Sequence, residues 1–459
     1  MAQKYTAGEI KIRPGVYYRY STDSVGTASV LDGVNAIIMK GSWGPAGTVT
    51  AHETAQSIMD TYGEGDGVDC ALMLKAAGAK KVLVFRCEGT GGKEASGKVG
   101  NLTVTAKHAG ARALKIKVQA KPADATIKQF IVLDGTTQLE RFEFAVGTDE
   151  TAAVIEAIAN SKYVTATAST TGTIEAQEVA LTGGADPTVT AQDYLKGLTA
   201  LESYRYNVVS TDSVDADVAN IIKNYVAEAE NSGKMIMGVV GAAPEDTFEA
   251  KLSAANACNS KGIVYVGNGF ITADGETVEG AKAVNYAAGV ISATPSNQSI
   301  VHAVVTGAVD VTERLTNAQY ESAILNGLLL FSTGPDDQVW FDSGINTLIT
   351  LSSEEDAGWK KIKRTKVRYE LLDRIDRVVS PLIGKVDCNP DGVAAILQVG
   401  MGVIAEMVAE GKILATTSIV LDPDNSYEGD SAWFLIECHD VDALEKVYLH
   451  YKFSYTQTA

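Results

Sequence analysis

The feature that most constrains the fold is an alternation of short apolar strands with helices, which starts near residue 34, stops at Gly89 and resumes near Thr190. Strands that are apolar along their whole length and are separated by helices are typical of a parallel sheet covered on both faces. We predict strands over 34–39, 81–87, 206–209, 235–240 and 262–266, and helices over 54–62, 68–78, 193–201, 215–231, 246–260 and 278–292. The sequence therefore predicts one α/β sheet whose two parts are separated along the chain.

The stretch between these two parts has a different pattern. Apolar and polar residues alternate there with a period of two, Thr and Val are frequent, and Gly-rich turns separate the runs, all of which is typical of β-structure. The predicted strands lie over 102–106, 113–118, 130–133, 141–146 and 163–168, with one helix over 151–160. We therefore expect a mostly β domain inserted into the α/β sheet.

The last hundred or so residues form a further unit. A strand is predicted over 359–365, and a helix follows because its apolar residues recur at helical spacing: Val367, Leu371, Leu372, Ile375, Val378 and Val379. A second helix is predicted over 391–410, before Gly411. The chain closes with an alternating run over 446–455, which predicts a strand with Val447, Leu449, Tyr451 and Phe453 on one face.

Both chain ends look unfinished when taken alone. Residues 10–20 are rich in β-branched and aromatic residues, but Pro14-Gly15 interrupts them, and proline lacks the N–H that a sheet interior requires. An extended arm is the natural interpretation of this segment. The apolar strand at the other end needs a sheet to join, because an exposed apolar edge strand invites pairing with another chain.

The predicted fold class is thus α/β and α+β multidomain, with a split α/β sheet core, an inserted mostly β domain and a C-terminal α+β domain carrying extended terminal arms. The expected divisions are an N-terminal arm (1–20), the first part of the core (21–90), the insertion (91–186), the second part of the core (187–355), the C-terminal domain (356–445) and a C-terminal arm strand (446–459).

Composition excludes several classes of partner. The 459 residues carry a net charge of −18 without a block of like charges, which argues against nucleic acid, since phosphate binding needs a basic surface. Near the N-terminus no apolar run resembles a signal peptide, and we find no stretch long and apolar enough to cross a bilayer. We therefore expect a protein folded in a cytoplasm, with no direct membrane insertion.

No motif points convincingly to catalysis, a cofactor or a metal. The run over 92–98 has the GxxxxGK spacing of a phosphate-binding loop, but Val99 stands where a hydroxyl is needed and a strand follows in place of a helix. His52-Glu53 lacks a second histidine at the spacing of a zinc-protease helix. We predict that the cysteines are buried free thiols, because their number is odd and no CxxC pair occurs: Cys70, Cys87, Cys258, Cys388 and Cys438.

One local cluster of positive charge is out of character in this acidic chain. It consists of Lys360, Lys361, Lys363, Arg364, Lys366 and Arg368. Cations near a helix N-terminus are unfavourable by the macrodipole, so something should offset them. Two interpretations stay open, a solvated start of a helix and a patch that docks an acidic protein surface.

Several stretches, in order, resemble the phage tail sheath family, with the closest likeness to sheaths of phages and tail-like bacteriocins of Gram-positive hosts. They are the opening Arg13-Pro14-Gly15-Val16-Tyr17, then the stretches 287–290 (AAGV), 307–311 (GAVDV) and 344–348 (GINTL), and the closing stretch 441–446 (VDALEK) before the final strand. Each stretch is weak alone, and their order and spacing make the match specific. The resemblance covers most of the chain except the β insertion, a region in which such sheaths vary.

The resemblance implies a structural protein with no enzymatic activity and no cofactor. Such subunits stack as hexameric rings around an inner tail tube, and terminal arms of one subunit add strands to a small sheet in its neighbours. The implied arm residues are Ile12, Pro14, Gly15, Val16, Tyr17 and Tyr18 at one end, and Val447, Tyr448, Leu449, Tyr451 and Phe453 at the other. The basic stretch, from Lys360 to Arg368, is the candidate contact with an acidic inner tube.

The resemblance also implies contraction, in which subunits move as near-rigid bodies and drive the tube through a cell envelope. Expected further partners are the baseplate and tail terminator proteins, and the expected location is a virion tail or tail-like bacteriocin assembled in the host bacterial cytoplasm. We expect the insertion to face outward. The alternatives are a hydrolase or nucleotide-binding enzyme, with a site near 210–212 or 241–245, and a non-contractile surface or capsid protein.

Overall fold

The structure of the protein is a computed structural model that describes residues 3–4, 17–18, 32–425 and 427–453. Near the N-terminus, two short strands pair in parallel, β1 (Gln3–Lys4) and β2 (Tyr17–Tyr18). The remaining residues predicted for the N-terminal arm lie outside the described residues: Ile12, Pro14, Gly15 and Val16.

The first part of the predicted α/β core is present. Its elements are β3 (Val34–Met39), β4 (Val49–His52), α1 (Ala55–Tyr62), α2 (Asp66–Ala76) and β5 (Lys81–Arg86). Strands β3 and β5 are buried almost along their whole length, as expected for strands covered on both faces. The sequence pattern missed β4, which is short and pairs antiparallel with β5 at the edge of the sheet.

The β-rich stretch folds into two sheets that enclose a separate apolar core. The elements are β6 (Ser96–Val99), β7 (Leu102–Ala106), β8 (Leu114–Lys121), β9 (Asp124–Asp134), β10 (Thr137–Ala145), α3 (Glu150–Ala157), β11 (Val164–Ala168) and β12 (Gln177–Ala180). One sheet has the order β10-β9-β8-β12 and the other β11-β7-β6. Inward-facing residues such as Val104, Ile116 and Phe130 are fully buried between them.

The chain then returns to the central sheet. The elements are α4 (Ala191–Leu201), β13 (Val208–Thr211), α5 (Ala216–Asn231), β14 (Met237–Gly241), α6 (Phe248–Cys258), β15 (Ile263–Val266), β16 (Phe270–Thr272), β17 (Thr277–Val278), α7 (Ala281–Ala293), β18 (Ala308–Val311), α8 (Asn317–Leu325), β19 (Leu328–Leu329), β20 (Phe331–Thr333) and β21 (Val339–Phe341). The completed sheet has the order β19-β15-β14-β13-β3-β5-β4 and is parallel except for β4. The prediction of one sheet from two chain segments is therefore confirmed.

Helices cover both faces of this sheet. On one face, α1, α2 and α7 pack against side chains such as Ile37 and Val84. On the other face, α4, α5, α6 and α8 pack against side chains such as Ile38 and Phe85. Alternate residues of one strand thus enter two different cores, which is why these strands are apolar at every position.

The insertion is fastened to the core through carbonyl groups that a buried arginine binds. Arg86, at the end of β5, donates from Nε to the Gly41 carbonyl at 2.8 Å and from Nη1 to the Gly44 carbonyl at 2.7 Å. Its Nη2 reaches the Ala109 carbonyl of the insertion at 2.7 Å. The next residue, Gly110, lies directly against the carbonyl oxygen of Ser42.

The C-terminal unit consists of two long helices and a small sheet. They are α9 (Ile362–Val379), α10 (Pro390–Ala409), β22 (Ser418–Leu421) and β23 (Phe434–Glu437). The strand predicted over 359–365 is wrong. A short 3₁₀ turn, Ala357–Lys360, leads directly into α9, and the Asp356 carboxylate accepts a bond from the Gly358 N–H at 3.1 Å within this turn.

Helix α10 corrects a second expectation. By length and composition it is long and apolar enough to cross a membrane, with a mean hydropathy of 1.8 over its most apolar segment. Core helices of soluble proteins pass the same test, and one face of α10 is buried: Val403, Ile404 and Met407 pack with Val367 and Leu371 of α9.

Helix α9 is fixed to the core through a lysine that lacks its usual solvation. The Lys366 ammonium donates to the carbonyl of Ile291 at 2.6 Å and to that of Thr294, both at the end of α7. Desolvation lowers the pKa of Lys366 to about 8, although the carboxylates of Asp32 and Glu370 act in the opposite direction. The burial of this side chain therefore favours the neutral amine relative to the unfolded chain.

A substitution of glycine by alanine at the junction with the insertion should be strongly destabilising. Gly110 has a φ of +151°, and a Cβ there would lie 1.9 Å from the Ser42 carbonyl oxygen. We expect Gly110→Ala to lower the free energy of unfolding by about 2–4 kcal/mol in urea denaturation. Gly147→Ala is the matched control, because a Cβ there meets no atom within 4 Å. Equal midpoints for the two variants would contradict the assignment.

The Lys366 contact predicts a pH dependence. Between about pH 8 and 10.5 the unfolded chain binds more protons at Lys366 than the folded chain, so the free energy of unfolding should rise with pH in this window. Lys234, whose pKa burial also lowers to about 8, contributes with the same sign. The Lys366→Met variant should therefore lose about 1–2 kcal/mol of this rise, while the exposed-site control Lys385→Met keeps it. An unchanged profile in Lys366→Met would refute the role of Lys366.

Candidate functional site

The C-terminal arm leaves the body with its apolar side chains in solvent. Of the side chains predicted to pair with a neighbour, Tyr448 is 89% exposed and Phe453 is 93% exposed, and the others, Val447, Leu449 and Tyr451, are also exposed. The strand predicted over 446–455 is not formed in its described part, 446–453. A strand needs a hydrogen-bonded partner, and the single chain supplies none to these described residues.

A small sheet in the C-terminal domain lacks further strands at its edges among the described residues. Strands β22 and β23 pair antiparallel, with Ser418 opposite Glu437 and Leu421 opposite Phe434. Among the described residues neither strand has a second neighbour, so each presents an unpaired edge. Such a two-stranded sheet is marginal alone. Here it rests on α10, where the Ile419 side chain fits against Gly400.

The basic cluster does not form a free positive surface. The Lys361 ammonium lies 2.7 Å from a carboxylate oxygen of Asp442 and 2.9 Å from one of Glu445. The guanidinium groups of Arg364 and Arg368 both bind Asp440, whose side chain is only 4% exposed. These cations therefore hold the segment that precedes the C-terminal arm.

The remaining cations of the cluster are also engaged within the chain. Lys363 is only 5% exposed, and its burial lowers its pKa. Lys366 binds the end of α7, as described above. Lys360 donates to the Ile349 carbonyl at 2.7 Å and, alone among the six, is neither buried nor paired with a carboxylate or with α7. Most of the positive charge of the cluster is therefore neutralised or buried within the chain, and its contact with an inner tube stays a prediction.

The acidic partners explain how cations are tolerated at the start of α9. The Asp356 carboxylate lies 2.7 Å from Arg368, and Asp440 lies between Arg364 and Arg368. Negative charge near a helix N-terminus is favourable, and here it neutralises the guanidinium groups as well. The offset that the sequence required is thus supplied by Asp356, just before α9, and by Asp440, which lies 76 residues after Arg364.

The first rival site, at 210–212, is filled by internal hydrogen bonds. The Ser210 hydroxyl donates to Asn285 Oδ1 at 2.7 Å, and both residues are fully buried. The Asp212 carboxylate accepts bonds from the Tyr194 hydroxyl at 2.6 Å and from the Lys40 N–H at 2.7 Å, and burial raises its pKa. These side chains bind one another and the main chain, so their hydrogen bonds hold the fold together at this place.

The second rival site, after β14, is a cavity of about 240 Å³. Lys251, its buried cation, lies 3.0 Å from the Glu313 carboxylate. The side chain of Asn268 bonds both main-chain groups of Phe331. Lys251 and Asn268 in the cavity wall are therefore already used to join parts of the fold.

The two motifs that partly match phosphate-binding and zinc sites, the GxxxxGK run and His52-Glu53, also have local structural roles. Lys98 of the GxxxxGK run lies in strand β6, so the run does not lead into the helix whose N-terminus phosphate binding would require. His52 is buried, and its ring nitrogens lie 2.8 Å from the hydroxyls of Thr50 and Ser57. Within the described part of the chain, no three His, Cys, Asp or Glu side chains are grouped as a metal site.

The five cysteines are free, as predicted, but they are not all buried. Cys70, Cys87 and Cys258 are buried, and burial raises the pKa of each thiol. Cys438 is half-buried and Cys388 is exposed, so the expectation of burial was wrong for Cys388.

Comparison with known proteins gives one consistent family. Residues 90–186 match the model of the phage tail sheath protein beta-sandwich domain, and residues 188–347 match that of the phage tail sheath protein central domain. The chain is 25% identical to the phage-like element PBSX protein XkdK of Bacillus subtilis (strain 168), over 97% of this chain and 98% of that protein.

Solved structures share the fold. The sheath tail protein of Desulfitobacterium hafniense is 22% identical, with a TM-score of 0.74 over 93% of this chain and 100% of that one. The helical sheath of the anti-feeding prophage in its contracted state is 10% identical, with a TM-score of 0.55 over 96% of this chain and 99% of that one. Together, the two adjacent domain matches, the relative of nearly equal length and the shared fold show that the chain belongs to the phage tail sheath family.

Proposed function

We propose that the protein is the subunit of a contractile tail sheath that polymerises as stacked hexameric rings around an inner tail tube. The observation that carries this proposal is the pairing deficit at two places in one chain. The arm after Glu445 exposes apolar side chains, and β22 and β23 present unpaired edges. The fold is similar to that of a sheath solved in its contracted state, which supports contraction as the function of this assembly.

We further propose that the arms of one subunit add strands to the β22–β23 sheet of its neighbours. Such β-augmentation satisfies main-chain groups and covers alternate side chains. A buried aromatic side chain removes about 150–250 Å² from water, which at about 25 cal/mol per Å² is worth about 4–6 kcal/mol before entropy costs. Because each copy both gives and receives strands, contacts are head-to-tail and extend into an open helical lattice.

The division into units supports a mechanism of rigid-body movement. The central sheet has a buried core on each face, the insertion has a core of its own, and the C-terminal helices have another. We propose that each subunit moves as a near-rigid body during contraction while its arms stay paired, and that the insertion, over 91–186, faces outward. In this scheme the baseplate and tail terminator are further partners, in a virion tail or tail-like bacteriocin assembled in a bacterial cytoplasm.

A hydrolase or nucleotide-binding enzyme is the alternative. Against it stand the internal bonds of the Ser210 and Asn268 side chains at the two places where a doubly wound sheet would hold a ligand. We therefore propose a structural role without enzymatic activity.

The predicted contact with the inner tube now depends mainly on Lys360. Among the described residues its ammonium binds the Ile349 carbonyl and no carboxylate, whereas contact through Lys361, Arg364 or Arg368 would compete with the intrachain carboxylates. A polar contact of modest strength suits an interface that must break during contraction. We propose Lys360 as the member of the cluster that faces an acidic tube.

Removing the apolar face of the arm should abolish polymerisation without unfolding the subunit. We expect Leu449→Asp to leave the circular dichroism spectrum and melting temperature unchanged, because residue 449 lies outside every described core, and to prevent cylinders from forming in electron microscopy. Leu325→Asp is the control, since Leu325 is 74% exposed, against 68% for Leu449, and lies outside the arm. Normal cylinders from Leu449→Asp would refute strand exchange by this arm.

Charge reversal at Lys360 should weaken assembly on the tube only. We expect Lys360→Glu to reduce co-assembly with purified tube at least about fivefold in a sedimentation assay, with tube-free polymerisation unchanged. Lys385→Glu, at an exposed site in the same domain, should behave as wild type. If Lys360→Glu co-assembles as well as Lys385→Glu, Lys360 does not contact the tube.

A further inference from the structure

We propose that an ion-pair clamp fixes the root of the C-terminal arm, formed by Lys361 at the N-cap of α9 and Arg364 and Arg368 within α9, together with Asp440, Asp442 and Glu445. The importance of this clamp for assembly depends on the strand exchange proposed above. The clamp itself is a property of the unassembled subunit and can be tested there.

The inner part of the clamp is a buried carboxylate held by two guanidinium groups. Arg364 binds both oxygens of Asp440, one through Nη2 at 2.9 Å and the other through Nε, and Arg368 Nη2 lies 3.1 Å from the first oxygen. Burial alone would raise the pKa of Asp440, but the bonds from both arginines outweigh it and lower the pKa. Bidentate pairs of this kind are strong and directional, unlike isolated surface pairs.

The outer part holds the last residues before the arm is released. Lys361 bridges Asp442 and Glu445, and the Ser299 hydroxyl donates to Glu445 at 3.4 Å. Exposure changes sharply around Glu445. This side chain is half-buried, whereas Leu444 before it is 86% exposed and Tyr448 in the arm is 89% exposed. The boundary between the body and the free arm thus coincides with the last ion pair.

Main-chain bonds do not hold this segment by themselves. The His439 carbonyl accepts from the Leu414 N–H at 2.8 Å, and the Val441 N–H donates to the Lys412 carbonyl at 3.0 Å. Within the described residues we find no main-chain bond from 442–445 to another part of the body; the Ala443 N–H bonds the adjacent Asp442 side chain. Between Val441 and the arm, attachment therefore relies on the side-chain pairs.

Helix α9 connects the clamp to the core. Lys366 binds the end of α7, and the Tyr369 hydroxyl donates to the Glu230 carboxylate of α5 at 3.3 Å. A pull on the arm therefore passes through Asp440 and the arginines into a helix that is packed against the central sheet. The clamp therefore keeps residues 438–445 attached to the body when a neighbouring copy pulls on the arm.

The inner pair is tested by Asp440→Asn, which keeps the shape of the side chain and removes its charge. In unassembled full-length protein we expect amide hydrogen exchange at Val441 to become at least about tenfold faster, with exchange in α9 and α10 unchanged. Asp424→Asn, at an exposed site of the same domain, should exchange as wild type. Unaltered exchange at Val441 in Asp440→Asn would overturn the proposal.

The outer pair is tested by Lys361→Gln, a milder change at a side chain that is 28% exposed. An endoproteinase that cuts before aspartate should cleave at Asp442 at least about tenfold faster than in wild type, and the control Lys385→Gln should show no increase. A cleavage rate equal to that of wild type would refute the clamp. Neither measurement requires polymerisation, so failure of strand exchange would leave both results interpretable.

Discussion

The account depends on one constraint, that an extended strand must bond its main-chain groups to a partner. The arm beyond Glu445 has apolar side chains in solvent and no described partner strand, while β22 and β23 form a two-stranded sheet with unpaired edges. Two deficits of the same kind in one chain are relieved together when copies exchange strands. On this proposal the isolated subunit lacks strand partners, which adjacent copies supply.

The described body of the subunit, in contrast to the arm, buries apolar side chains in closed cores. The central sheet is buried on both faces, the insertion encloses its own core, and polar groups at the ends of the strands bind one another, as Ser210 and Asn285 do. A body with closed cores can move without rearranging, and on the proposed function the links between copies are made by its ends. The paired cations of α9 lie between these two parts, because they attach the free arm to the rigid body.

Sequence patterns predicted elements whose cause is local and missed contacts between distant residues. The alternation of strands and helices was predictable, because burial on both faces makes β3 and β5 apolar throughout. The start of α9 was mistaken for a strand, because its lysines interrupt the apolar spacing and their acidic partners lie far along the chain. A signal was available: Lys361, Arg364 and Arg368 recur at helical spacing, and the acids at 440, 442 and 445 match them in charge. The need of the C-terminal arm for a partner followed from its apolar alternation, whereas the short strands β22 and β23 gave too little pattern to be predicted.

The most direct test of this account is a cryo-electron microscopy map of the assembled protein at a resolution that traces single strands. The account predicts helical cylinders in which residues 446–453 run as a strand along the edge of the β22–β23 sheet of an adjacent copy. Density that places this arm against its own body, with those sheet edges left empty, would contradict it.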